Sequence, residues 1–412
     1  MTSLSGLLRQ NANYRYTWMG QVVSEAGDYF NNVAVLALVM EKTGSGMVVS
    51  GVFLSRAIPA VLAGPIAGVL LDRFDRRRIM IASDPLRAIV AAAFVFTVHE
   101  QRPWLLYLLS ALLMFASPFF TAGRAAILPS IATREELHAA NSLTQNTSWA
   151  TLTVGTLLGG IGAAKLGYDA AFLINALSFV FSAWCIWRIA YRPDPAAAAS
   201  HSSGAREFVD GLRYIGSIPL MTGIAMISFG WALGGGAAQV LFALFGEQVF
   251  HRGATGIGDI WGFAGIGLLI GGTAGHMIGR RAGFAGYKRA VTVSYLLHGA
   301  AYMLFSQTGS FAAALVLMML SRVGMAVTSV LNNSQLLHHT AAQYRGRVFA
   351  TMEALRNAVM IVSMAAAGIA SQYTGARTIG LVAGACGMLT ALAWGWMDLS
   401  GRLREPPPQT EP

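Results

Sequence analysis

Apolar stretches long enough to cross a bilayer recur along almost the whole chain, and this constrains the fold more than any other feature. A helix needs about 20 mostly apolar residues to span about 30 Å of hydrocarbon. Twelve such stretches can be read in the 412 residues: 16–40, 47–71, 79–98, 104–126, 143–164, 170–190, 219–245, 259–279, 290–307, 311–335, 348–371 and 377–398. Charged residues make up only 12% of the chain, about half of what a soluble surface requires. The sequence therefore predicts an all-α integral membrane protein whose outer surface is covered by lipid. It excludes a soluble enzyme, a nucleic-acid binder and a disulfide scaffold as readings of the whole chain. The two cysteines both fall inside apolar stretches, as does most of the aromatic content.

Orientation follows from the basic residues, because Lys and Arg resist translocation. With the N-terminus inside, they favour cytoplasmic over outer connections by about four to one, which accounts for the net charge of +10 without nucleic acid. Both termini are expected in the cytoplasm. The first apolar stretch carries Glu25 and Asp28 and is too long for a cleavable signal. Residues 191–218 interrupt the pattern: a Pro-, Ala- and Ser-rich tract is followed by Phe208, Leu212 and Ile215 at helical spacing, so a linker ending in a short interfacial helix is expected. The predicted domains are a six-helix bundle over 1–190, this cytoplasmic linker over 191–218, and a second six-helix bundle over 219–412.

A constant offset brings Gly68 onto Gly275, Asp72 onto Gly279 and Arg73 onto Arg280. Two pseudo-symmetric six-span halves of this kind are the layout of a transporter that rocks around a central site.

The tract GVLLDRFDRRR between the second and third spans (Gly68–Arg78) resembles the G-x-x-x-D-R-x-G-R-[RK] loop signature of the major facilitator superfamily. Gly68, Asp72, Arg73, Arg76 and Arg77 match, and Asp75 stands where the signature has Gly. The resemblance implies a gate: the Asp caps the cytoplasmic end of the eleventh helix and the Arg residues bridge charges in the outward-facing state. Asp84 with Arg87, and Glu353 with Arg356, read as local pairs supporting that gate. GTLLGG in the fifth span (Gly155–Gly160) resembles the exporter signature G-P-x-x-G-G, with Thr156 in place of Pro. Further tracts, among them GQVVSEAGDYFNNVAVLAL and RGRVFATMEAL, are similar to the bacterial drug- and siderophore-efflux branch, which includes the enterobactin exporter and macrolide efflux proteins. Gly267, Gly271, Gly275 and Gly279 recur at i, i+4 on the eighth span, where small residues let helices approach closely.

Intramembrane charge carries the chemistry. An ionisable residue inside a span costs roughly 2.5–3.5 kcal/mol and therefore faces a cavity or a partner. Glu25 and Asp28 lie one turn apart in the first span, and a carboxylate in a low-dielectric site can exchange a proton near neutral pH. Asp28 is the deeper and the expected proton site; the competing reading is a static ion pair with Arg56 on the second span. Arg322, mid-way along the tenth span, could meet an anionic substrate group or pair with an acid elsewhere in the chain. Gln21, Gln145, Asn146, Trp149, Trp231 and Gln239, with Arg56 and Arg322, are the candidate cavity residues. His338 and His339 lack partners at metal-ligand spacing. No phosphate-binding loop, H-E-x-x-H or G-x-S-x-G occurs, so neither ATP, a cofactor, a metal nor a catalytic residue is expected.

The leading expectation is a monomeric, proton-coupled antiporter in the bacterial inner membrane, exporting small amphipathic molecules and driven by the proton gradient. A lipid or lysolipid flippase of the same fold and a non-transporting scaffold or receptor are the alternatives.

Overall fold

A computed structural model describes residues 4–99, 103–190 and 204–406. All regular structure among these residues is helical: α1 (Leu4–Gln10), α2 (Ala12–Thr43), α3 (Gly46–Arg73), α4 (Arg76–Ala93), α5 (Val95–His99), α6 (Pro103–Ile131), α7 (Arg134–Leu166) and α8 (Tyr168–Trp187), then α9 (Gly204–Ser217), α10 (Pro219–Leu244), α11 (Gly253–Gly279), α12 (Phe284–Gln307), α13 (Phe311–His339), α14 (Ala342–Ala370) and α15 (Ala376–Leu399). The Pro- and Ala-rich part of the linker, 191–203, lies outside the described residues.

Among the described residues, nine helices are long and apolar enough to cross a membrane, α4 and α5 counting as one and α10 with its terminal π-helical turn (Phe245–Val249) as another. The long helices α2, α7 and α12 are not among them. The reason is their polar content: α2 carries Glu25, Asp28, Asn31 and Asn32, α7 is rich in Thr and Ser, and α12 carries Lys288 and Arg289 in its second turn. Large apolar side chains on the outer faces, such as Leu62, Leu177, Val293 and Leu389, are about two-thirds exposed. Water would make that pattern costly, and lipid makes it favourable.

Local signals set the helix ends. Gly44 adopts a left-handed conformation (φ +57°) and donates its N–H to the Met40 carbonyl, while Ser45 accepts from the Val48 N–H and starts α3. This Gly–Ser pair reverses the chain in two residues. Thr133 and Glu136 form a reciprocal capping box at the start of α7. Thr133→Ala should cost about 1 kcal/mol, read as a lower midpoint of thermal unfolding in detergent; an unchanged midpoint would mean that packing alone fixes this end.

The described residues divide into two compact units. The first takes the chain before Ser200 together with Ala243–Gly262, and the second takes the residues of His201–Phe242 and Phe263–Pro412. In the first unit α2 packs against α7 and α8, α3 against α6, and α4 against α6 and α8. Glycines permit these approaches: a Cβ on Gly27 would lie 2.2 Å from Ser178 Oγ, and one on Gly159 would lie 3.0 Å from Phe30 Cα. The GTLLGG face thus seats α7 on α2. In the second unit α12 packs against α13 and α15, and Trp394 donates to the Lys288 carbonyl (3.2 Å). Gly267, Gly271 and Gly275 bring α11 onto α13, where added Cβ atoms would lie 2.3 Å from the Met319 carbonyl, 2.4 Å from the Val323 carbonyl and 3.1 Å from Val327 Cα. The glycine stripe is a helix-packing surface.

Candidate functional site

The polar content of α2 is gathered into two adjacent clusters inside the first unit. Glu25 lies one turn before Asp28 and is saturated with donors. Arg124 on α6 donates to Oε1 at 3.1 Å, Ser148 on α7 to Oε1 at 3.2 Å, and Thr151 to Oε2 at 2.9 Å. Gln21, one turn earlier, is fully buried and spends its amide on the Thr144 carbonyl and Ser148 Oγ, both at 3.1 Å. These bonds fix α2 in rotation against α7.

Asp28 belongs to a different constellation. Its Oδ2 accepts from Arg87 at 3.1 Å, and Arg87 also donates to Asp84 Oδ1 at 3.0 Å. Arg87 is 2% exposed and Asp84 0%, whereas Asp28 retains 27%. The guanidinium is sandwiched by Phe179 and Phe120, whose ring centres lie 4.0 and 5.3 Å away. One Arg therefore serves two carboxylates. Asp28 Oδ1 and Asp84 Oδ2 are buried and make no hydrogen bond of good geometry, with the Asn175 amide beside the first carboxylate and the Ser182 hydroxyl beside the second. Burying carboxylate oxygens without a good hydrogen bond costs free energy, and a proton bound on one of them would relieve it.

Arg56 on α3 donates to Asn31 Oδ1 (3.1 Å), to Asn32 and to Ser110 Oγ (3.4 Å). In the second unit, Arg322 on α13 is buried, with its guanidinium 5.4 Å from the Phe242 ring centre and 5.8 Å from that of Tyr302. Such cation–π contacts contribute roughly 0.5–2 kcal/mol, against a desolvation cost of several kcal/mol for a buried ion. Glu353, Arg356 and Asn357 form a local cluster on α14, with Arg356 stacked over Trp231.

The sequence matches the profile of the family described as Major Facilitator Superfamily over residues 17–364. The chain belongs to the major facilitator superfamily. It is a multi-pass membrane transporter, and the family is one of transporters rather than enzymes. This facilitator is 26% identical over 343 residues to a Bacillus subtilis (strain 168) protein provisionally named bacilysin exporter BacE, covering 83% of this chain and 84% of that one. It is 34% identical over 124 residues to macrolide efflux protein A of Streptococcus pyogenes (29% of this chain, 30% of that one). It is also 28% identical over 211 residues to multidrug efflux pump Tap of Mycolicibacterium fortuitum (49% and 52%). Its similarity thus lies with the drug-efflux branch. Among solved structures, nucleoside transporter NupG has the same fold with a TM-score of 0.72 at 12% identity, covering 93% and 98% of the two chains. A bacterial homologue of the iron transporter ferroportin, in an inward-facing state, has a TM-score of 0.68 at 17% identity over 94% and 99%.

Several residues of this facilitator sit differently from what sequence spacing suggests. Arg56 bonds the two asparagines and not Asp28; the partner of Asp28 is Arg87. Asp84 and Arg87 do form the expected i,i+3 pair, yet they are buried and joined to α2, away from the loop signature. Arg124 lies within α6, 16% exposed and paired with Glu25, where its position near the end of the fourth apolar stretch suggests a cytoplasmic loop. Gln21 is spent on packing contacts with α7. Gln145 and Asn146 are exposed, Trp149 and Gln239 half-buried, and the Trp231 Nε1 is buried without a hydrogen-bond partner.

The loop signature is built from backbone contacts as much as from charge. Asp72 and Arg73 are exposed at the end of α3. Arg76 donates to the Ala126 carbonyl (2.8 Å) in the last turns of α6, and Arg77 to the Ile186 (3.1 Å) and Trp187 carbonyls ending α8. Cations there satisfy orphan carbonyls and favour the negative ends of the helix dipoles. Asp75, the departure from the signature, is the N-cap of α4 and accepts from the Arg78 N–H at 3.1 Å. Gly68 has nothing within 4 Å of where a Cβ would lie.

Proposed function

We propose that this facilitator is a proton-coupled exporter, an antiporter of small amphipathic molecules in the bacterial cytoplasmic membrane, with both termini in the cytoplasm. The observation that carries the reading is the unequal provision for the two α2 carboxylates. Glu25 has three donors across its two oxygens, so its carboxyl is taken up by contacts that join α2 to α6 and α7. Asp28 has one oxygen on Arg87 and one that makes no hydrogen bond of good geometry. Of the two α2 carboxylates, Asp28 is therefore the one with an oxygen open to a proton.

Protonation of Asp28 cancels half of its ion pair and leaves Arg87 to Asp84 alone. The bond between α2 and α4 weakens, and α2 is freed to shift against its neighbours. Deprotonation restores it. In this scheme the proton gradient sets which arrangement is occupied, and cargo binds better to one of the two, which is the requirement for any ligand-driven shift. Asp72, Arg73, Arg76 and Arg77 would bias the cytoplasmic side, together with Glu353 and Arg356. The names of the relatives support export as the direction.

The test is accumulation of a mixed panel of cationic drugs, macrolides and catecholate siderophores in efflux-deficient cells. Wild type should lower accumulation, and both Asp28→Asn and a protonophore should abolish the effect, a loss of more than about tenfold in rate. Normal expression with full activity in Asp28→Asn would remove Asp28 from the cycle. Protonophore-insensitive movement of a lysolipid would instead favour a flippase.

A further inference from the structure

Arg322 is 7% exposed, and among the described residues no carboxylate lies within ion-pair distance of it. Of the described carboxylates of its unit, Glu207 and Asp210 face Arg347, Glu353 faces Arg356 and Asp398 faces Lys288, while Glu405 lies exposed beyond α15. In the first unit, by contrast, Glu25 is paired with Arg124, and Asp28 and Asp84 share Arg87. The interior charge of Arg322 is thus a surplus.

The immediate surroundings of Arg322 are donors and rings. Among the described residues, its guanidinium donates to the Met325 sulfur at 3.7 Å. Tyr302, whose ring centre is 5.8 Å from the guanidinium carbon, is 3% exposed and its hydroxyl has no hydrogen-bond partner. His298, beside the Tyr295 and Tyr302 rings, is taken up by Ser321, with Nδ1 2.8 Å from the hydroxyl and 3.0 Å from the carbonyl. Phe242 covers the guanidinium from α10. A guanidinium fork plus a phenolic O–H, met by a weak sulfur acceptor and no carboxylate of the protein, supplies the donors that a carboxylate or phosphate accepts from.

We infer that Arg322 and Tyr302 form an oxyanion-binding subsite inside the second unit, which takes a carboxylate of the transported molecule. The inference rests on the export reading only in naming the ligand as cargo. It shifts the expected substrates from purely cationic drugs towards acids and zwitterions, whose anionic end neutralises the surplus charge while the Phe242 and Tyr302 rings take the apolar body.

The test is binding of dansyl-phenylalanine and of its uncharged amide to the purified full-length chain in phosphatidylcholine nanodiscs, read by dansyl fluorescence. The acid should bind about tenfold more tightly than the amide, as expected for hydrogen bonds to a charged group. Arg322→Gln should erase that preference, Arg322→Lys should keep part of it by retaining charge without the fork, and Tyr302→Phe should reduce it severalfold. Thermal unfolding of each variant separates misfolding from lost recognition. Equal affinity for acid and amide in wild type, no binding of the acid at about millimolar concentration, or a preference that survives in folded Arg322→Gln overturns the proposal. Phosphatidylglycerol replacing phosphatidylcholine gives the lipid arm. Competition by that lipid only when Arg322 is present would assign the oxyanion to a headgroup and overturn the cargo assignment. Because binding needs no gradient, these outcomes are independent of whether Asp28 couples transport to protons.

Discussion

Replacing Arg87 by Met should destabilise the chain by about 3–5 kcal/mol, the cost of leaving buried carboxylates without their cation. Two acids are orphaned at once, since Arg87 is the common partner of Asp28 and Asp84. The loss should appear as a large drop in the midpoint of thermal unfolding and in the yield of monodisperse protein. Most of it should return when Asp84→Asn is added, because the remaining acid, Asp28, is partly exposed and can take up a proton. The double variant separates two accounts. If Arg87 matters only for folding, Arg87→Met with Asp84→Asn should fold and still export. If the Asp28–Arg87 contact is the coupling element, the double variant should fold and fail to export. An Arg87→Met chain as stable as wild type would contradict the buried arrangement itself.

Gly271→Leu should be nearly as damaging for a different reason. Its Cβ would lie 2.4 Å from the Val323 carbonyl and 2.9 Å from Val323 Cα, both backbone atoms that cannot rotate away. Helices α11 and α13 would have to separate, at a cost of about 1–3 kcal/mol or more from overpacking. Gly68→Ala supplies the contrast. Although Gly68 is part of the loop signature, a Cβ there meets nothing within 4 Å, so thermal stability should be unchanged. If the two variants behaved alike in a melting experiment, the packing account of the glycine stripe would fail.

The features that the sequence made legible are those encoded locally. Apolar length marked the helices, and the i, i+4 glycines marked a close-packed face. The charged residues of α2 were also visible, because a carboxylate in an apolar run is conspicuous whatever it touches. Their partners were not. Arg87 follows Asp28 by 59 residues and Arg124 follows Glu25 by 99, and nothing in spacing says which intramembrane Arg meets which acid. Arg56 was the plausible partner by depth, yet asparagines one turn beyond Asp28 claimed it. Asp84 and Arg87 illustrate a partial success: the i,i+3 pair was readable, while its burial and its third member depended on how α4 packs against α8 and α6. Tyr302 was invisible for a similar reason, being one aromatic among many until its hydroxyl was found unpaired beside Arg322.

The long sequence separations within the α2 clusters also bear on how the protein is made. At about 5–20 residues per second, Arg124 is synthesised roughly 5–20 s after Glu25, and Arg87 arrives in the interval between. During that time α2 must enter or wait beside the membrane carrying two carboxylates with no cation in reach, each costing roughly 2.5–3.5 kcal/mol in lipid. The first helix is therefore unlike a segment that inserts on its own merits. It depends on being sheltered until α4 and α6 emerge, so the charges proposed to serve transport also make the order of synthesis part of the folding problem.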